Sequence, residues 1–183
     1  MLLHGFAEGP RPTRAAVWHP ATGTLAATAG PIWAWDISAG NQVLRRIDQT
    51  GATTPSACID LVPAGSTLPV GPTGVCAPEL TRFIAGRVSP DGQWITLTRP
   101  TTDGLTTVLI AAADLRAGRW QPRVLDGPVG LTAFWDTATT FVAYHTALVA
   151  DNTVPQRCDT SGHCTPVDVP DGVTNVRPVP RSG

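Results

Sequence analysis

Three stretches of this chain run through the same order of events, and that recurrence limits the possible folds more than any other feature. In the first, Ala15-Ala16-Val17-Trp18 leads into a turn at His19-Pro20-Ala21-Thr22-Gly23 and then Thr24-Leu25-Ala26-Ala27-Thr28. Ile32-Trp33-Ala34-Trp35-Asp36, a turn at Ile37-Ser38-Ala39-Gly40, and Gln42-Val43-Leu44-Arg45-Arg46-Ile47 follow. The second passes from Gly86-Arg87-Val88 through Ser89-Pro90-Asp91-Gly92 to Trp94-Ile95-Thr96-Leu97-Thr98. It continues with Thr107-Val108-Leu109-Ile110-Ala111 and ends in Trp120-Gln121-Pro122-Arg123-Val124-Leu125. The third has Leu131-Thr132-Ala133-Phe134-Trp135, a turn at 136–139, Phe141-Val142-Ala143-Tyr144, then Gln156-Arg157-Cys158-Asp159 and Cys164-Thr165-Pro166-Val167-Asp168-Val169. The short runs are rich in β-branched and aromatic residues, which suit a pleated, half-buried surface. The breaks carry Pro, which presets φ, and Gly, which accepts positive φ. Each stretch therefore predicts four short strands.

Asp36, Asp114 and Asp159 are expected to close the third strand of each unit, with Asx-type bonds to turn backbone as their role. The last two stand one repeat apart, within the ~40–45 residues of a sheet-forming repeat. The first two stand further apart, and the excess is assigned to residues 50–82. The expected organisation is an N-terminal segment 1–12, repeats at 13–49, 83–127 and 128–170, a Pro/Gly-rich insertion at 50–82, and a tail at 171–183. Composition agrees with turn-rich β structure: 18 Gly and 18 Pro in 183 residues are too many helix breakers for a coiled coil or helical bundle. With 42% hydrophobic residues, six Trp among them, the chain can fill a core and is not expected to be disordered. No apolar run reaches the ~18 residues of a membrane span. A charged fraction of 15% and a net charge of −1 give no footprint for nucleic acid or an anionic membrane.

Ser89-Pro90-Asp91-Gly92-Gln93-Trp94-Ile95 is similar to the hairpin that opens a blade in bacterial WD40-like propellers related to the TolB family. Ile32-Trp33-Ala34-Trp35-Asp36 resembles the end of a WD40 third strand, and Arg157-Cys158-Asp159-Thr160-Ser161-Gly162-His163-Cys164 resembles the cysteine-bracketed hairpin of secreted members. The resemblance covers roughly residues 13–170. It implies an all-β fold, a β-propeller-like array of about three four-stranded antiparallel blades. Closed propellers use about 4–8 blades, so the array is expected to be an incomplete propeller. Three situations would satisfy its open faces: a larger propeller of which this is a fragment, a second copy that closes a ring, or the insertion folded over an open array.

The four cysteines, Cys58, Cys76, Cys158 and Cys164, fall in two local pairs. The second pair brackets a turn, so paired strands there would bring the sulfurs together; the first brackets the densest Pro and Gly. Disulfides are expected, with four reduced thiols as the alternative, and zinc is disfavoured because no CxxC spacing supports it. The segment beginning at Met1 has neither a basic region nor an apolar stretch of signal-peptide type. The expected location is extracytoplasmic, periplasmic or secreted, if the chain belongs to a longer precursor, and cytoplasmic otherwise.

No Gly-x-Ser-x-Gly elbow, His-Glu-x-x-His pattern or Walker loop is present, so no catalytic, cofactor or metal residues are assigned. Ser161 reads as part of a tight turn. Among the histidines, His145 is the candidate ligand contact because it follows a strand and opens a long loop. Trp33 and Trp35, two apart, share a strand face and are the candidate aromatic platform, with packing between sheets as the plainer role. The leading reading is a non-catalytic module that presents loops to another protein, to a second copy or to the remaining blades. The alternatives are the accessory or propeller part of an extracytoplasmic hydrolase, and a carbohydrate-binding module.

Overall fold

The computed structural model describes residues 2–6, 12–19, 21–27, 32–48, 56–64, 74–102, 104–127, 129–144 and 155–168. They form an all-β protein with almost no helix. A three-stranded sheet comes first, from β1 (Leu2–Phe6), β2 (Pro12–His19) and β3 (Thr24–Ala27) in the order β1-β2-β3. Three four-stranded antiparallel sheets follow, each a simple meander. One comprises β4 (Ile32–Ser38), β5 (Asn41–Asp48), β6 (Ser56–Pro63) and β7 (Gly74–Ala77). A 3-10 turn at Pro78–Arg82 leads to the next, built from β8 (Ala85–Val88), β9 (Trp94–Thr101), β10 (Gly104–Ala111) and β11 (Arg123–Val124), with the short helix α1 (Ala112–Arg116) before β11. The last contains β12 (Thr132–Trp135), β13 (Thr140–Tyr144), β14 (Pro155–Asp159) and β15 (Cys164–Pro166).

The second sheet runs through the segment assigned above to an insertion. Within residues 50–82, β6 pairs with β5 over eight positions from Asn41↔Pro63 to Asp48↔Ser56, and β7 pairs with β6. Ile32–Ser38 accordingly opens this sheet instead of extending the one before it. The physical reason lies in burial: from Ala57 to Val62 every residue is buried. A strand covered on both faces shows no apolar–polar alternation to mark it.

Side-chain alternation distributes the core. In the β8–β11 sheet, Ile95 pairs with Ile110 and Leu97 with Val108, and all four face the β4–β7 sheet. There they meet Val43, Ile59, Leu61 and Val75. Leu109, one position off, points the other way and joins Phe141, Ala143 and Cys158 of the last sheet. Each fully buried side chain of this size contributes about 1.5–3 kcal/mol relative to exposure. Phe83 packs edge-on to Trp120, with ring centroids 5.6 Å apart. Two buried hydroxyls on the same sheet pair with one another: those of Thr98 and Thr107 lie 2.8 Å apart, and Thr107 also donates to the carbonyl of Gly130.

The opening strands stand side by side, with β8 against β4 on one flank and against β12 on the other. Gly86 permits the first of these approaches, because a Cβ there would stand 2.8 Å from Cε3 of Trp35 and 3.0 Å from Cδ2 of Leu97. The turns dock too. A Cβ on Gly92, whose φ is +71°, would stand 2.6 Å from Nδ2 of Asn41 in the neighbouring hairpin.

Two disulfides tie the outer halves of two sheets. Cys58 is directly opposite Cys76 and Cys158 opposite Cys164, and both pairs are bonded. Their Cα separations are 4.0 and 4.1 Å, slightly below the ~4.5 Å of the closer kind of facing pair in an antiparallel ladder. Such bonds persist in oxidising compartments. Among the described residues, no helix is long and apolar enough to cross a membrane.

Candidate functional site

The first hairpin of each four-stranded sheet turns at the same end of the molecule, and there the three opening strands line an open cavity of about 200 Å³. Asp36 and Ser38 come from β4 and its end, Arg87, Val88 and Pro90 from β8 and the following turn, and Phe134 and Trp135 from β12. No two of these contributions are close in sequence, so the cavity exists only because the sheets stack.

Local chemistry fixes the walls. Ser89 donates its hydroxyl to Asp91 and accepts the Trp94 amide at 3.0 Å, while Asp91 also accepts the Gln93 amide at 3.1 Å. These bonds lock the turn that carries Pro90. Asp36 reaches across the sheet boundary: Oδ2 accepts the Val88 amide at 2.8 Å, and Oδ1 lies 3.7 Å from Nη1 of Arg87. That second distance is an ion pair too long for a hydrogen bond. The Arg87 side chain is 49% exposed. Ser38 donates weakly, at 3.4 Å, to the carbonyl of Ser89. From β12, Phe134 is 39% exposed, one of four exposed large hydrophobics among the described residues. Trp135 packs on Phe141 with centroids 4.9 Å apart, and its indole N–H is buried without an acceptor.

Next to Trp135, Asp136 accepts the Thr140 hydroxyl and pairs with Nε of Arg157 at 3.0 Å. Trp35-Asp36 lies within β4, whereas Trp135 ends β12 and Asp136 falls just beyond it; Asp36 binds the next sheet, and Asp136 binds its own.

The residues singled out from sequence are dispersed. Trp35 packs against the core shared by the second and third sheets, with its ring against Gly86. The position of Trp33 lies in β4, but its side chain falls outside the described residues, as does His145 altogether. The other described tryptophans, Trp94, Trp120 and Trp135, also pack against core clusters. Asp36 lies in an opening strand and Asp114 in α1, past the end of β10, so of the three only Asp159 ends the third strand of its sheet, β14. Asp159 accepts the Ser161 amide at 2.8 Å and the His163 amide at 3.2 Å, and the Ser161 hydroxyl donates to it as well. The Ser161 bonds hold its carboxyl below the ordinary aspartate value. Ser161 is therefore a turn residue tied to a carboxylate. No group of three His, Cys, Asp or Glu side chains suited to a metal occurs among the described residues.

A second polar cluster lies in the β4–β7 sheet. Asp60 is 4% exposed and pairs with Nε of Arg46 at 3.5 Å, while its Oδ1 has no partner. Burial raises its carboxyl above the ordinary value, against the opposing pull of Arg46. Gln42 is 1% exposed with neither amide atom bonded. Arg45, on the opposite face, donates through Nη2 to the Thr81 carbonyl at 2.6 Å, and burial lowers its guanidinium pKa.

No protein-family model matches the chain, and no curated protein matches it significantly.

Proposed function

We propose that the chain is a propeller-type module, working outside the cytoplasm, whose hairpin-end face engages another protein. The supporting observation is the adjacency of β4, β8 and β12, the opening strands of three successive four-stranded meanders. Sheets joined in this way form a fan with one common edge, the architecture of propeller blades arranged around an axis. The Ser89-Pro90-Asp91-Gly92 turn and the TolB-like resemblance agree with that reading. The three-stranded sheet adjoins β4 through β2, and such an open array leaves its end faces to be covered by a second copy or by further blades. The two disulfides support an oxidising location.

Site-specific photocrosslinking in the source cells tests the proposal. A photoreactive residue at exposed Ala39 or Pro90, both on the hairpin-end face, is expected to capture one discrete protein or a second copy. The same group at Thr102, exposed at the opposite turn between β9 and β10, is expected to capture none. Capture from Thr102 alone, capture of nothing from either face, or hydrolytic turnover by the purified oxidised chain would overturn the reading.

A further inference from the structure

We infer that the cavity among β4, β8 and β12 is a binding site for a single pyranose ring, such as the terminal sugar of a glycan. The inference depends on the local geometry alone and stands whether or not the sheets belong to a closed ring. Size comes first: about 200 Å³ is below the ~300–1,000 Å³ of sites that hold drug-sized ligands, so it suits one ring or one side chain.

Charge narrows the choice. Asp36 and Arg87 already lie 3.7 Å apart, so the wall is neutral overall and gives a free anion or cation no net attraction. Neither group is saturated, however. Asp36 holds one amide hydrogen bond and keeps lone pairs on Oδ1, and Arg87 is half exposed with donors to spare. A carboxylate beside a guanidinium offers adjacent acceptors and donors. Vicinal hydroxyls on a ring match that pattern, because each hydroxyl both donates and accepts. The Ser38 hydroxyl, held only by a 3.4 Å bond, can join the network.

Phe134 from β12 and Pro90 from the turn after β8 add apolar surface to the same lining, and Phe134 is 39% exposed. A pyranose has an apolar C–H face and a polar equator, so it can use both walls at once. A charged metabolite would leave the apolar wall idle, and an aliphatic ligand would strip water from Asp36 and Arg87 without replacement bonds.

Ligand-observed saturation-transfer NMR on the oxidised full chain tests the site, with methyl pyranosides of glucose, galactose, mannose and N-acetylglucosamine as probes. Sorbitol serves as an acyclic polyol control, and an N-acetyl dipeptide amide represents a peptide ligand. At least one pyranoside is expected to bind saturably in the millimolar range, as befits one small ring. Phe134→Ala and Arg87→Gln are each expected to weaken it about fivefold or more, since both remove one wall. Ile84→Ala, at an exposed apolar residue away from the cavity, is expected to leave it unchanged. Both pocket substitutions fall on exposed side chains, and an unchanged melting temperature verifies folding; if Phe134→Ala fails to fold, Arg87→Gln decides alone. The inference is overturned if no pyranoside saturates, if sorbitol binds equally, if both variants bind as the parent does, or if only the dipeptide binds.

Discussion

Gly86→Ala probes the contact by which two sheets share their opening strands. The added methyl would stand 2.8 Å from Cε3 of Trp35 and 3.0 Å from Cδ2 of Leu97, against an ordinary separation of about 3.5–4.0 Å. Leu97 is fully buried and Trp35 packs in the same core, so neither can swing into solvent. Overpacking of this kind costs ~1–3 kcal/mol. A 2 kcal/mol loss would lower the melting temperature by about 4–8 °C in a chain of this size. The specificity of the argument is tested by a double-mutant cycle with Trp35→Leu, which removes the ring that the methyl strikes. Thermal or urea unfolding of the oxidised protein gives the four stabilities. The strain should be relieved in the double variant, giving a favourable coupling of ~1–2 kcal/mol between the substitutions. Costs that add to within about 0.5 kcal/mol would mean that Trp35 does not lie on Gly86, and the stacking of these sheets would be refuted.

Further outcomes follow from other parts of the structure. The disulfides close loops of 18 and 6 residues, so loop entropy assigns ~3 kcal/mol to Cys58–Cys76 and ~2 kcal/mol to Cys158–Cys164. Paired Cys→Ser variants are expected to lose stability in that order on urea unfolding, and non-reducing peptide mapping should recover only these two linkages. Ala39 adopts φ +49° beside Gly40 at +69°, in the two-residue loop joining β4 to β5. Such a loop favours Asn or Gly, so Ala39→Gly should raise stability by up to ~1 kcal/mol. Asp60 has a raised carboxyl pKa, so the folded state binds its proton more tightly than the unfolded state does. Its contribution is therefore most favourable below the unfolded value of ~3.9 and is lost as pH rises through the raised folded value. Asp60→Asn is expected to flatten that limb of the stability–pH curve, and an unchanged curve would contradict the assignment. Asp159 has the opposite sign: its lowered carboxyl contributes above the unfolded value and loses that contribution as pH falls, so Asp159→Asn should soften acid unfolding.

What the sequence could reveal follows from how local each feature is. The Ser89–Gly92 turn was legible because its bonds join neighbours: Ser89 to Asp91, Asp91 to the Gln93 amide and Ser89 to the Trp94 amide. The two cysteine pairs were legible for the same reason, each being local in the chain and facing across adjacent strands. By contrast, β6 was hidden. Its buried stretch lacks alternation, and the Pro and Gly around it read as loop. That concealment shifts the first repeat, so that by sequence Asp36 reads as the end of a third strand when it belongs to an opening one. The Trp-Asp dipeptide recurs at 35–36 inside β4 and at 135–136 across the end of β12, in or beside an opening strand each time. The cavity was not legible at all, because Asp36, Arg87 and Phe134 come from three sheets. Trp35 illustrates the limit of residue type as a guide, since its ring packs in the core and the exposed aromatic at the cavity is Phe134.

The adjacency of β4, β8 and β12 underlies both the propeller-type reading and the cavity. Nuclear Overhauser contacts measured on the isotope-labelled, oxidised chain test it most directly. The structure predicts cross-peaks from the Trp35 ring to Gly86 Hα and between protons of β8 and β12, which lie side by side. Strands paired within each sheet but lacking either set of contacts between sheets would contradict the account.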